Sequence, residues 1–251
     1  MFPHYFPFPV RVERGNQQPI EKLDRTSDSL DVHSIFLTIQ GEGPFCGQST
    51  VFIRLAGCNL QCPKCDTDYT KGRSRMGVPY ILSQVKSKQP NPNLVVITGG
   101  EPFRQDITYL VLSLIANGYI VQIETNGTMA LDPQLYEFVR KDVSLKYGLF
   151  IIVSPKTGKV NESLHPHITA YKYVAHYRDI DEDGLPQYAL GHTAHPRLAR
   201  PHAGYMGPVY LQPCDSKDKA VNKKNLQACI ESVMKFGHIL QLQTHKIIGV
   251  E

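Results

Sequence analysis

Residues 51–65 read VFIRLAGCNLQCPKC, and the fold turns on this stretch. Its first five residues form a near-continuous apolar, β-branched run. Such a run suits a strand buried on both faces, which is a strand of a parallel sheet. A glycine ends it, and three cysteines follow at the spacing C-x3-C-x2-C: Cys58, Cys62 and Cys65. Chemistry placed just past the carboxyl end of a parallel strand is the habit of α/β enzymes, whose sites gather on that side of the sheet.

Working outward, six further runs carry the same signature: 94–98 (LVVIT), 119–123 (YIVQI), 149–153 (LFIIV), 170–174 (AYKYV), 208–211 (PVYL) and 238–242 (HILQL). Amphipathic stretches lie between them. Asp106 reads as the cap of a helix whose stripe is Ile107, Leu110, Val111, Leu114 and Ile115. Asp132-Pro133 opens a second helix. A third covers 218–236, with Leu226, Cys229, Ile230, Val233 and Met234 on its inner side and Gly237 as its stop. The alternation predicts an α/β fold, a partial (β/α) barrel of about six parallel strands with an extra strand at the C-terminus. Residues 1–30, proline-rich and then polar, read as an N-terminal extension, and 31–251 as a single domain. Within that domain, 175–207 holds four histidines, three prolines and four glycines without a helical or strand period, and reads as a loop insertion.

Composition narrows the function classes. With 41% hydrophobic and 20% charged residues the 251-residue chain is ordinary globular material. Its net charge of +4 suits an anionic substrate and is too mild and too scattered to argue for nucleic acid. The opening MFPHYFPFPV lacks a basic leader, and Pro3, Pro7 and Pro9 interrupt any helical apolar run. No stretch approaches the roughly 18 apolar residues of a membrane span. The expectation is a cytoplasmic protein with no membrane partner. Six cysteines in that compartment do not read as disulfides. Cys46, Cys214 and Cys229 stand apart and read as one loop residue and two small apolar fillers.

The polar motifs fall in phase with the strand ends. Arg54 closes the first run, Thr98–Pro102 (TGGEP) follows the second, and Glu124–Thr128 (ETNGT) the third. Ser154–Lys156, Gln212–Asp215 and Thr244–Lys246 follow the fourth, sixth and last. Singly, Gly-Gly and Asn-Gly are ordinary turns. Six in phase mark one face as the site. Three thiolates on one tight loop can wrap a [4Fe–4S] cluster and leave one iron open. Two other readings of the spacing stand beside it. One is a zinc site completed by Asp66 or a distant histidine. The other is a redox pair at Cys62 and Cys65, which leaves Cys58 without a role.

With GGEP after the next strand, the triplet resembles the radical S-adenosylmethionine superfamily. There the open iron is chelated by the amino and carboxylate groups of the methionine moiety, and reductive cleavage yields a 5′-deoxyadenosyl radical. Many members carry an aromatic residue just before the third cysteine. This chain has Lys64, so adenine contact there would rest on backbone groups. The resemblance is closer to the 7-carboxy-7-deazaguanine synthase family. It is carried by TIQGEG at 38–43, VFIRLAGC at 51–58, CDT at 65–67, and by 96–102, 122–128, 154–156, 210–215 and QTHK at 243–246. That family contracts 6-carboxy-5,6,7,8-tetrahydropterin to 7-carboxy-7-deazaguanine with loss of ammonia, on the route to queuosine and related deazapurines.

The resemblance implies a [4Fe–4S] cluster on the triplet, S-adenosylmethionine, and Mg²⁺ on Thr67. Cofactor contacts would come from Pro63, Lys64, Gly100, Glu124, Asn126, Ser154, Pro155, Lys156, Gln212, Pro213, Cys214 and Asp215. Substrate contacts would come from Ile39, Gln40, Gly41, Glu42, Arg54, Thr98, His245 and the terminal Glu251. An electron donor such as flavodoxin and a homodimer are implied in the same way. The residue types agree with the chemistry, since a pterin carboxylate suits a guanidinium fork and a ring edge suits Gln40 and Glu42. A hard Mg²⁺ takes few protein oxygens. Taken alone, Glu42 reads equally as a loop charge, Arg54 as an edge-strand surface residue and Thr67 as a helix cap. The apolar tail after His245 reads as a segment that folds over the substrate. A glycyl-radical activase shares the triplet but fits Q-G-E-G and Q-T-H-K poorly, and a zinc-stabilised nucleic-acid module lacks its basic patch.

Overall fold

The computed structural model describes residues 15–24, 28–88, 93–141, 148–192 and 196–250. Nine strands form one sheet: β1 (Ser29–Ile39), β2 (Ser49–Leu55), β3 (Ser74–Gly77), β4 (Leu94–Gly99), β5 (Ile120–Thr125), β6 (Leu149–Val153), β7 (Ile168–Ala175), β8 (Val209–Pro213) and β9 (Ile239–Leu240). Their spatial order is β3-β1-β2-β4-β5-β6-β7-β8-β9. From β2 to β9 every neighbouring pair is parallel and follows chain order. Right-handed crossovers between successive neighbours wind the helices onto one side of such a sheet. The helices are α1 (Val78–Lys88), α2 (Thr108–Ala116), α3 (Pro133–Lys141), α4 (Lys219–Phe236) and the short α5 (Thr244–Ile248). The sheet stays open between β3 and β9, so the architecture is a partial (β/α) barrel.

All seven apolar runs became parallel strands. The two strands that sequence reading missed, β1 and β3, are the antiparallel ones. A strand with one face half open to solvent carries a mixed pattern, and β1 (SLDVHSIFLTI) lacks the continuous apolar run of a doubly buried strand.

Residue parity divides the sheet. Ile53, Ile97, Ile123 and Ile151 lie in one cross-strand row and are buried in the core with Leu110, Val111 and Leu114 of α2. Each such side chain contributes about 1.5–3 kcal/mol by leaving water. Alternation turns their even-numbered neighbours to the other face. There Arg54 pairs in register with Thr98, and Gln122, Glu124, Lys172 and Gln212 have the same parity.

Two helix expectations need correction. Asp106 accepts from the Thr108 N–H at 3.0 Å, but the cap position of α2 is Ile107, one residue later. In α4, Gly237 closes the end and Cys229 is buried, both as expected, and Asp218 caps the start. Met234, however, is 83% exposed, while Asn225 and Ser232 are buried. The reason is that α4 faces irregular chain as well as sheet. Ser232 Oγ donates to Gly184 O at 2.6 Å, and Asn225 donates to Cys214 O and accepts from the Tyr177 N–H. Loop backbone must be satisfied when buried, so polar side chains hold the inner stripe.

Beyond Ala175, which closes β7, the described part of 175–207 contains neither helix nor sheet strand, yet it is firmly tied. Arg200 bridges Asp181 and Asp183, and Tyr173 Oη donates to Ala199 O. Residues 15–24 of the N-terminal extension also lie against the domain, with Glu21 N donating to Cys58 O and Asp24 N to Arg104 O, both at 2.7 Å. Among the described residues no helix is long and apolar enough to cross a membrane.

Candidate active site

A cavity of about 540 Å³ opens at the carboxyl ends of the parallel strands, a size suited to small organic ligands. The cysteine loop forms part of its wall. Cys58 and Cys62 are buried and Cys65 is half-buried, and all three border the cavity. Burial pushes the Cys58 thiol up to about 12 and Cys62 to about 11, with neighbouring thiols adding to both, and burial raises Cys65 as well. Three thiolates here would be costly unless a cationic centre compensated them. That donor set suits an iron–sulfur cluster bound through three sulfurs. Among the described residues no three His, Cys, Asp or Glu side chains gather as a single metal ion requires.

Main-chain ties fix the cysteine loop from several sides. Asn16 N donates to Pro63 O at 3.1 Å, and Lys64 N to Leu190 O at 2.9 Å. The backbone groups expected to serve adenine at Lys64 are therefore partly engaged by the extension and the insertion. Gln18 accepts from the Tyr69 N–H at 2.6 Å and donates to Thr67 O at 2.9 Å, holding the strand of loop that carries Thr67. The Gly99-Gly100 step lies so close that a Cβ at either position would collide with the carbonyl oxygen of Leu55 or Gly57. Glu101 then turns inward, fully buried, and accepts from Thr125 Oγ1 (2.7 Å), Asn126 N (2.8 Å) and Phe103 N (3.1 Å). Asn126 in turn donates to Asn59 Oδ1, and Asn59 to Thr128 Oγ1, so ETNGT grips the cysteine loop.

The residues assigned to cofactor by resemblance divide accordingly. Pro63, Lys64, Gly100, Glu124, Asn126, Ser154, Lys156, Gln212, Cys214 and Asp215 line the cavity, whereas Pro155 and Pro213 are not among its lining residues. Lys156 Nζ donates to Ser154 O at 2.8 Å, and burial lowers its ammonium to about 8. Gln212 is buried with an amide oxygen that no donor reaches among the described residues. The Lys217 N–H on Asp215, aided by Asn222, holds that carboxyl well below its ordinary range. Lys246 spans from Asp215 (3.4 Å) to Asp66 (3.8 Å), lacing α5 to the cysteine loop. Glu124 accepts from Gln40 Nε2 and Gln122 Nε2, each at 3.0 Å, which groups it with the substrate candidates.

Ile39, Gln40, Glu42, Arg54, Thr98 and His245 line the same cavity. Arg54 is on β2, an interior strand, with its guanidinium 5.0 Å over the Phe36 ring. Glu42 is buried rather than a solvated loop charge. It forms an ion pair with Lys172 and accepts from Gln243 Nε2 at 2.9 Å. Burial opposes its charge, but Lys172 overrides this and holds the carboxyl at about 2. Gly41 does not line the cavity, but a Cβ there would strike His245 Nδ1, so the glycine admits the histidine. Thr67 is half-buried outside any helix, its hydroxyl donating to Asp66 Oδ1 at 3.2 Å. The tail forms α5 with Gly249 as a left-handed cap, and Ile247 and Ile248 are 69% and 49% exposed. Glu251 lies outside the described residues.

Sequence reading missed Lys172 and Gln18, and it quoted Glu101 and Gln243 inside motifs without giving either a role. Lys172 was findable, because it interrupts AYKYV in the same parity as Gln122 and Gln212. Gln18 had no signal.

A parallel, open barrel that presents three cysteines on the loop after its first parallel strand, with a Gly-Gly-Glu-Pro turn locked against them, is the construction of the radical S-adenosylmethionine class. No family model matches the chain. Curated relatives do. The chain is 40% identical over 231 residues to the 7-carboxy-7-deazaguanine synthase of Rhodospirillum rubrum, covering 89% of this chain and 93% of the relative. It is 39% identical over 240 residues to that of Rickettsia prowazekii, covering 91% and 92%. The crystal structure of QueE from Escherichia coli shares the fold with a TM-score of 0.61 at 24% identity, over 85% of this chain and 93% of that one. The chain belongs to the 7-carboxy-7-deazaguanine synthase family.

Proposed function

We propose that the chain contracts 6-carboxy-5,6,7,8-tetrahydropterin to 7-carboxy-7-deazaguanine, releasing ammonia, as a radical S-adenosylmethionine lyase of deazapurine biosynthesis. One observation carries the reading. The cysteine triplet lines a single cavity together with Gln40, Glu42, Arg54 and His245. When bound on the three thiolates, a [4Fe–4S] cluster with one open iron supplies the reductive cleavage of S-adenosylmethionine. Lys156 beside Ser154 and the unmet acceptor of Gln212 offer that cofactor a cation and a hydrogen-bond acceptor. Arg54 offers a fork for the substrate carboxylate, and Glu42 with Gln40 an acceptor-rich wall for ring N–H groups.

Thr67, on the loop past Cys65, is the proposed magnesium ligand, with waters and substrate oxygens completing the shell. Thr67→Ala should lower turnover and flatten the magnesium response while leaving iron content unchanged. An unaltered magnesium titration would remove Thr67 from that role. A small electron donor such as flavodoxin, a homodimer and a cytoplasmic location complete the proposal.

The test is anaerobic reconstitution with iron and sulfide, followed by incubation with reductant, S-adenosylmethionine and the carboxypterin. The expected products are 7-carboxy-7-deazaguanine and ammonia. Cleavage of S-adenosylmethionine without either product would overturn the reading.

A further inference from the structure

Lys172 is a buried cation that nothing above has assigned. It stands mid-way along β7, 8% exposed, on the face of the sheet that lines the cavity. Its ammonium pairs with one carboxylate oxygen of Glu42, and Gln243 donates to the other. A buried ion pair is a poor device for stability alone, since apolar residues of like volume often serve as well or better. This one borders a cavity, where a ligand can use both partners.

The pair has a definite complement. Side by side, an ammonium presents N–H donors and a carboxylate presents acceptors. The matching ligand edge carries a carbonyl oxygen next to ring and amino N–H groups. A 2-amino-4-oxo pyrimidine edge has that order, whereas a 2,4-diamino edge sets a donor against the ammonium. We propose that Lys172 is a specificity-determining residue that donates to the 4-oxo group of the ring, with Glu42 accepting from the neighbouring N–H groups. The proposal rests on the pterin reading of the cavity. It assigns Arg54, at the aromatic side of the cavity over Phe36, to the far end of the same ligand.

Discrimination follows from the chemistry. A site whose buried donor is left facing another donor loses a charge-assisted hydrogen bond, so the oxo ligand should be preferred by roughly 10-fold to 100-fold. The experiment measures equilibrium binding of 6-carboxypterin and of 2,4-diamino-6-carboxypteridine to the reconstituted holoprotein by fluorescence, without oxygen. Lys172→Met should bring the ratio of the two dissociation constants close to one. The Glu42→Gln/Lys172→Met double variant, which leaves no charge unpaired, should do the same, and iron content checks that each variant is folded. A wild-type preference that persists in both variants would overturn the role of Lys172 and leave the proposed reaction standing. Failure of the wild-type protein to bind either pteridine would overturn the pterin reading itself.

Discussion

Two parts of the cavity wall are built by different means. Around the cysteine loop, main-chain bonds recur: Asn16 N donates to Pro63 O, Lys64 N to Leu190 O and Glu101 N to Gly57 O, with the side chains of Gln18 and Asn126 adding to them. Around Gln40 and Glu42, side chains bond side chains, as in Gln40–Glu124–Gln122 and Gln243–Glu42–Lys172. Backbone ties do not depend on which side chains the loop carries. Side-chain ties can be exchanged for bonds to a ligand. The contrast separates a frame that must be in place before the cluster binds from a surface that responds to what enters.

The largest effect should come from breaking the frame at its sulfurs. Cys58→Ala, Cys62→Ala and Cys65→Ala should each abolish cluster binding, while Cys46→Ala, Cys214→Ala and Cys229→Ala keep it. Iron and sulfide analysis of the six variants decides this, and loss of iron confined to Cys214→Ala would overturn the assignment.

Next comes Glu101→Ala, which strands two buried backbone N–H groups, each worth about 1–3 kcal/mol. A fall of about 3 kcal/mol in unfolding free energy is expected by denaturant titration. An unchanged midpoint would mean that the ETNGT turn is held elsewhere.

The side-chain part of the wall should instead reveal itself through acid. Glu42 has its carboxyl lowered from 4.5 to about 2, so the stability it contributes is full above pH 4.5 and fades as pH falls toward 2. Wild-type protein should therefore lose stability relative to the Glu42→Gln/Lys172→Met variant across that window. A constant difference between pH 6 and pH 3 would show that the pair is not ionised in the folded state.

The smallest effect is expected at Gln18→Ala. Removing its bonds to Thr67 O and Tyr69 N should cost about 1–2 kcal/mol and weaken the magnesium response without loss of iron. A magnesium titration matching wild type would make the extension a passenger.

Much of this was legible in the sequence. Doubly buried strands advertise themselves through runs such as LVVIT and LFIIV, and the cysteine spacing and strand-end motifs located the cavity. The antiparallel strands β1 and β3 were not legible, because a strand with a solvated face dilutes its apolar signal. The inner face of α4 was misread for a related reason. Its partner there is loop backbone, which calls for Asn225 and Ser232 where periodicity favours an apolar stripe through Met234. Glu42 and Lys172 are separated by 130 residues, and no local pattern joins them.

The parity of the sheet has a consequence for how such a protein can change. Odd-numbered positions on the inner strands hold the helices, and the even-numbered positions Arg54, Thr98, Glu124, Lys172 and Gln212 line the cavity. Substitutions at those five therefore alter what the cavity accepts without disturbing the row of isoleucines behind them. A library confined to them samples new ligand preferences on an unchanged scaffold.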